Sequence, residues 1–292
     1  MMQKLKITDV RALPGDSAFL IDDGKTAILY DSGFAFTGDA VANKIQAVLG
    51  ERPLDYILLT HSHYDHALGS VYALRRWPGA RVVAGEYAAK IFGKPTAKQV
   101  MRDLDQKFAA TCGVTAYEDL IDGLRVDIPV ADGDVIRAGD LELVAVNFPG
   151  HTRCSVGYYL PKERLLLGCE TLGVFDGAQT VPSYLVGYQM ALDSIARAQE
   201  LEIQAVLAPH YGLLNAEETR AYLADSKRVA VETAEAIADI LRSGGTREQA
   251  VSYFLDRFYH GYTKTIYPVD AITLNTNIMV TLIAREFEID LA

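Results

Sequence analysis

The sequence predicts an α/β fold of mixed strands followed by a helical C-terminal segment. Three observations carry that expectation. Short apolar runs flanked by turn residues recur as far as Pro209, the mark of buried strands. Segments with apolar residues at helical spacing stand between them. Beyond Leu214 the strand signals fade, and two capping-box patterns open long helical stripes.

Residues 17–22 and 26–30 are apolar runs on either side of Asp23-Gly24, which reads as a hairpin turn. Asp31-Ser32-Gly33 breaks the second run. Periodicity predicts a helix over 38–49 with Val41, Ile45 and Val48 on one face, stopped by Gly50. Residues 55–60 read as a strand buried on both faces. That strand delivers the chain into His61-Ser62-His63-Tyr64-Asp65-His66. A helix over 67–76, a strand over 81–84 and helical pattern to 111 follow. Strands are then expected near 124–128, 134–137, 141–148, 155–160 and 164–167. A helix near 184–199 leads to a buried strand at 205–208, ending at Pro209-His210.

In the tail, Asn215 with Glu218 and Thr246 with Gln249 cap two helices. The first carries Tyr222, Val229, Thr233, Ile237 and Leu241; Gly244-Gly245 ends it. A third helix over 270–286 carries Ile272, Ile278, Leu282 and Ile283. The expected organisation is a catalytic segment, 1–214, and a helical segment, 215–292.

Composition narrows the function. Of 292 residues half are hydrophobic, and the net charge is −10, so a nucleic-acid backbone is not an expected partner. No apolar stretch reaches the length of a membrane span, and Lys4 and Lys6 are followed by no apolar leader core. Cys112, Cys154 and Cys169 are odd in number and widely spaced, which fits a reducing compartment. The expectation is a cytoplasmic protein without nucleic-acid or membrane partners.

Six histidines occur in the chain, and three of them fall in the run His61–His66. Imidazole and carboxylate at this density suit zinc, iron or manganese. His151 follows Phe148-Pro149-Gly150, and His210 follows Ala208-Pro209, each directly after an apolar strand. Taken singly, each would ordinarily be a structural histidine. Ligand-binding groups gather where strands end, so the three places together point to one site.

His61-x-His63-x-Asp65-His66, Gly150-His151-Thr152 and Pro209-His210-Tyr211-Gly212, with Asp31-Ser32-Gly33 before them, resemble the metallo-β-lactamase superfamily over about residues 8–214. The resemblance implies a four-layer αβ/βα sandwich of two mixed β-sheets. It implies two divalent ions, zinc first and iron or manganese as alternatives. His61, His63 and His151 would hold one ion; Asp65, His66 and His210 would hold the other. A carboxylate and a water would bridge them, and the hydroxide so generated would attack the substrate.

At the bridging position this chain departs from the family's usual Gly-Asp and has Gly168-Cys169-Glu170-Thr171. Aligning on Thr171 puts Glu170 there; aligning on Gly168 puts Cys169 there. Glu170 is preferred, because a carboxylate bridges through two oxygens. The implied activity is hydrolysis of a small-molecule substrate, an ester, thioester, lactone or phosphodiester, with an iron dioxygenase on the same ligands as the alternative. Asp65 and Tyr211 are the candidate catalytic residues, Tyr211 (like Tyr64) as a donor to a substrate oxyanion. His260, Tyr184 and Tyr188 are expected to be packing residues. The helical tail would cover the pocket or form the face of a homodimer.

Overall fold

The Asp23-Gly24 turn gives the hairpin that its residues predict. β1 (Lys6–Asp9) pairs antiparallel with β2 (Phe19–Asp22), and β2 pairs antiparallel with β3 (Ala27–Tyr30), Phe19 standing opposite Tyr30. The computed structural model describes residues 5–290. The chain forms two compact units, Met1–Asn147 with Val156–Leu167, and Phe148–Ser155 with Gly168–Ala292.

In the first unit, α1 (Gly38–Leu49) turns Val41, Ala42, Ile45 and Leu49 inward; of the expected stripe Val41 and Ile45 are buried, while Val48 is half-buried and Leu49 takes the inward place. β4 (Tyr56–Leu58) follows and continues the sheet parallel to β3. The helix expected over 67–76 is two: α2 (Tyr64–Ala67) and α3 (Ser70–Arg76). β5 (Arg81–Gly85), α4 (Glu86–Phe92) and α5 (Pro95–Thr111) come next, Pro95 opening the last of these, where a missing amide costs nothing. The strand expected at 124–128 begins later, as β6 (Ile128–Val130), because residues 121–123 wind into a 3-10 turn. Lys98 Nζ holds that turn by the carbonyls of Asp122 and Leu124. Strands β1 to β6 form one six-stranded sheet in chain order, antiparallel at the β1 edge and parallel from β3 onward. β7 (Val135–Ala138), β8 (Leu141–Asn147), β9 (Val156–Leu160) and β10 (Leu165–Leu167) form an antiparallel meander in a second sheet.

In the second unit, β11 (Val174–Phe175) and β12 (Thr180–Val181) form a two-stranded ribbon too short to leave an alternating pattern. α6 (Tyr188–Glu200) starts later than expected, so Tyr184 precedes it. β13 (Ala205–Ala208) and β14 (Gly212–Leu214) form a tight hairpin. α7 (Ala216–Arg242) opens on the predicted capping box, with Asn215 Oδ1 accepting from the Glu217 and Glu218 amides at 2.9 and 3.0 Å. α8 (Arg247–Phe258) opens on Thr246 and Gln249 in the same way. A short α9 (Thr263–Ile266) precedes α10 (Val269–Glu286). Each buried apolar side chain on these helices contributes about 1.5–3 kcal/mol, more than capping does, so the stripes hold the tail together. Two mixed sheets with helices around them, and helices at the C-terminal end, are the fold class the sequence predicts. Among the described residues no helix is long and apolar enough to cross a membrane.

Candidate metal centre

Each unit carries a cluster of histidine and carboxylate side chains where strands end. In the first, β4 runs into the His61–His66 segment, and α2 begins at Tyr64 with His63 as its cap residue. His61 and His66 are fully buried, and their rings stand 4.1 Å apart, with the ring of His63 4.5 Å from that of His61. His66 Nε2 lies 3.5 Å from Asp65 Oδ2.

Asp31 organises this cluster. Its Oδ2 lies 2.7 Å from His66 Nδ1, while Oδ1 accepts the Thr60 amide at 2.8 Å and the Thr60 hydroxyl at 3.0 Å. The Thr60 proton being given to Asp31, Thr60 Oγ1 accepts from His61 Nδ1, 3.0 Å away. One buried carboxylate thereby sets the tautomer of two imidazoles and presents both through Nε2. Asp31 does this at φ +48, a left-handed backbone that costs energy outside glycine.

The loop of Asp31-Ser32-Gly33 is stitched directly to α2. The Ser32 amide and hydroxyl both donate to the His66 carbonyl, at 2.7 and 2.8 Å, and the Gly69 amide donates to Gly33 at 3.0 Å. A Cβ on Gly69 would stand 1.8 Å from the Ser32 carbonyl oxygen, so only glycine admits this approach. That contact is also where the expected single helix breaks into α2 and α3.

Aromatic rings flank the same segment. Tyr64 contacts Phe34, which contacts Phe36 and Phe108, and Tyr117 closes the cluster. Beneath it lies Asp105 of α5, fully buried. Burial pushes its carboxyl up to about 6 against hydrogen bonds from the Tyr117 hydroxyl and the Ala35 and Phe36 amides.

In the second unit, Gly150 lets the chain turn sharply before His151. It sits at φ +145, and a Cβ there would come within 2.7 Å of Ala191. His151 Nδ1 lies 3.1 Å from the Ser183 carbonyl and 2.8 Å from its hydroxyl, again leaving Nε2 as the presented nitrogen. That Nε2 is 2.8 Å from Glu170 Oε2. His210 lies in the turn between β13 and β14 at φ +62, its Nε2 3.7 Å from Glu170 Oε1 and its carbonyl held by the Tyr262 hydroxyl at 3.0 Å. Glu170 is 2 % exposed, and the Tyr267 hydroxyl donates to its Oε1. The carboxylate facing His151 and His210 is therefore that of Glu170, while Cys169 is a buried residue at the start of the same turn.

Tyr211 packs edge-on against Phe175, with the Tyr262 ring 6.2 Å away. Tyr184 and Tyr188 are buried against one another, as expected of packing residues. His260 is exposed, with Nε2 2.9 Å from the Arg257 carbonyl. Sequence reasoning did not single out Ser183, Tyr262 or Tyr267, and gave Asp31 and Thr60 no part in orienting histidines. An acidic residue directly after an apolar strand, at Asp31-Ser32-Gly33, could have flagged Asp31, although it precedes the histidine run by thirty residues. Nothing local marks Tyr267, which meets Glu170 across 97 residues of chain.

Residues 14–212 match the family model for the metallo-beta-lactamase superfamily. The chain belongs to that superfamily. Its neighbours among solved structures are metallo-β-lactamase folds too, though identity near 20% makes this a likeness of fold alone. A metallo-beta-lactamase family protein of Thermus thermophilus aligns with a TM-score of 0.62 and 20% identity, covering 93% of this chain and 88% of that one. A superfamily protein of Sulfolobus tokodaii aligns at 0.54 and 20% identity, covering 72% and 80%. Among curated relatives, Glyoxylase B2 of Dictyostelium discoideum is 27% identical over 179 residues, 58% of this chain and 56% of the relative. Acyl-coenzyme A thioesterase MBLAC2 of Gallus gallus is 27% identical over 176 residues, 58% and 60%. A hydroxyacylglutathione hydrolase of Bradyrhizobium sp. is 28% identical over 151 residues, 50% and 43%. The chain spans about half the length of the curated relatives it matches. Family and donor groups together fit a protein that binds divalent ions.

Proposed function

We propose that this chain is a binuclear metallo-hydrolase that cleaves a thioester of a small acyl group. In this reading His61, His63 and His151 serve one divalent ion, Asp65, His66 and His210 serve a second, and Glu170 is shared. The observation that carries it is the orientation of the imidazoles. His61, His66 and His151 each have Nδ1 engaged by Thr60, Asp31 or Ser183, so each offers Nε2, the arrangement a structural histidine has no need of. The donor set, nitrogen with carboxylate oxygen and no thiolate, fits zinc first and accepts iron or manganese. Bound dications would supply Lewis acidity and a lowered pKa for water, so that hydroxide is available near neutral pH.

The remaining chemistry belongs to the chain. Asp31 and Ser183 hold the imidazoles in one tautomer, Glu170 would offset the charge of bound dications, and Tyr211 is the candidate donor to a substrate oxyanion. The thioester class is supported by the names of the acyl-coenzyme A and hydroxyacylglutathione relatives. The aromatic cluster around Tyr64 suits an apolar acyl group. A homodimer through the tail is part of the same proposal, resting on Val269, Leu274 and Ile278 exposed along α10. So is a reducing cytoplasmic setting, from the three widely spaced cysteines.

Metal-loaded protein should release free thiol from acyl thioesters, followed with a thiol reagent, and act far less on oxyesters, lactones and phosphodiesters. Fully loaded protein that leaves every thioester intact would overturn the substrate class. Oxygen uptake by iron-loaded protein, matched to substrate consumed, would replace hydrolysis with the dioxygenase reading.

A further inference from the structure

We infer that Tyr267, in the helical tail, is a positioning residue for the carboxylate of Glu170. The inference rests on the metal centre proposed above and assigns that centre a part built from the C-terminal segment.

The geometry is specific. Glu170 is buried, with Oε2 2.8 Å from His151 Nε2 and Oε1 3.7 Å from His210 Nε2. Tyr267 donates its one phenolic proton to Oε1. A glutamate has one more rotatable bond than an aspartate, and holding its carboxylate in one orientation costs side-chain entropy. The phenol supplies that restraint.

It also supplies it without charge. A lysine or arginine at the same place would neutralise the carboxylate and compete with a dication for it. A phenol occupies a single lone-pair direction and leaves the negative charge and the other directions for metal. With its proton given to Glu170, Tyr267 is not poised to donate to a substrate carbonyl, which distinguishes its role from the one proposed for Tyr211.

The phenol is itself held from behind. Tyr267 ends α9, its amide donating to Thr263 at 3.1 Å, and its carbonyl accepts the Tyr259 hydroxyl at 3.2 Å. Thr263 in turn donates to Asp176 at 2.8 Å, and the Ala178 and Gln179 amides also donate to that carboxylate. Burial opposes the charge on Asp176, but these donors together hold its carboxyl below the usual range. Tyr262, five residues earlier, donates to the His210 carbonyl. The segment 259–267 thus carries two hydroxyls onto two proposed ligands, one on a side chain and one on the backbone.

The test uses full-length Tyr267→Phe, which removes one oxygen and keeps the ring, with Tyr259→Phe as a control that disturbs the same segment without touching Glu170. Zinc affinity is read by competition with a chromophoric chelator, and geometry by the absorption bands of the cobalt(II)-loaded protein. Tyr267→Phe should weaken one of two zinc sites about 10–100-fold and shift the cobalt bands, the range for losing a partner behind a ligand. kcat should fall while KM stays within about twofold, the signature of an interaction that does not bind substrate. Tyr259→Phe, which loosens the segment but leaves the phenol on Glu170, should cost clearly less than Tyr267→Phe in affinity and in spectrum. Wild-type affinity and an unchanged cobalt spectrum in Tyr267→Phe would overturn the inference, as would equal losses in both variants, which would reduce the effect to packing of the tail. Wild-type protein that binds no zinc would overturn the parent reading, and this one with it.

Discussion

The two histidine clusters are built in opposite ways. In the first unit the donors are nearly consecutive, His61 to His66, and their supports, Asp31 and Thr60, sit on the ends of adjacent parallel strands. In the second unit His151, Glu170 and His210 come from three separate turns, and their supports come from two more places, Ser183 and the segment carrying Tyr262 and Tyr267. The first cluster is as rigid as a buried sheet edge. The second is only as rigid as the packing that brings the tail to it. Local unfolding reaches loops and terminal helices before core strands, so the second cluster should be the one that loosens first.

The largest effect expected is at a donor itself. His61→Ala or His63→Ala should reduce thioester turnover by more than about a hundredfold, beyond the range for losing a supporting partner, with loss of zinc. His63 is only half-buried, so His63→Ala should fold as wild type, while His61→Ala, at a fully buried position, should also cost some stability. Purified variants with full metal and full turnover would remove the first cluster from the chemistry.

Next comes the comparison at Glu170. Glu170→Gln keeps the shape and removes the charge that offsets two dications, so metal content measured by elemental analysis should fall from two ions towards one. Cys169→Ser, which changes only a thiol in the adjacent residue, should keep both. The reverse pattern would give the bridging role to Cys169.

A smaller effect is expected behind the first cluster. Asp31→Asn keeps a residue that tolerates φ +48, so it separates charge from backbone strain. Zinc affinity should fall about 10–100-fold, because the amide holds His66 and Thr60 less firmly. An affinity equal to wild type would mean that strand geometry alone orients the imidazoles.

The smallest effect on turnover lies away from metal, at Asp105, where the change falls on stability instead. Its folded carboxyl is raised to about 6 from 3.8, so the folded state binds the extra proton between those values. Stability should therefore fall as pH rises from about 4 to above 6, by roughly 3 kcal/mol at most. Chemical denaturation of metal-free protein across that window should show the slope, and Asp105→Asn should flatten it. An unchanged slope would move its origin elsewhere.

The contrast between the clusters also explains what the sequence could show. Histidines placed after apolar strands were legible, because strand ends announce themselves through hydrophobic runs and Gly or Pro. α1, α7, α8 and α10 were legible through stripes or caps, although Ile278, expected on the α10 stripe, lies exposed because the helix face turns it outward. Tyr267 and Ser183 were not, since a hydroxyl reaching a ligand across dozens of residues leaves no periodic trace. The split of α2 from α3 was equally hidden, for it follows from a tertiary contact at Gly69 rather than from helix propensity. The ribbon of β11 and β12 is simply too short to alternate visibly.

Gly69 has a wider consequence. Because it lies directly on the Ser32 carbonyl, the two signature loops of the first unit have no adjustable spacer between them. They behave as a single casting. A methyl group added at that joint would act as a wedge, and the thrust would pass along α2 to His66, whose carbonyl and imidazole are fastened to Ser32 and Asp31 respectively. The aperture of the first cluster is thus gauged by a side chain that is missing.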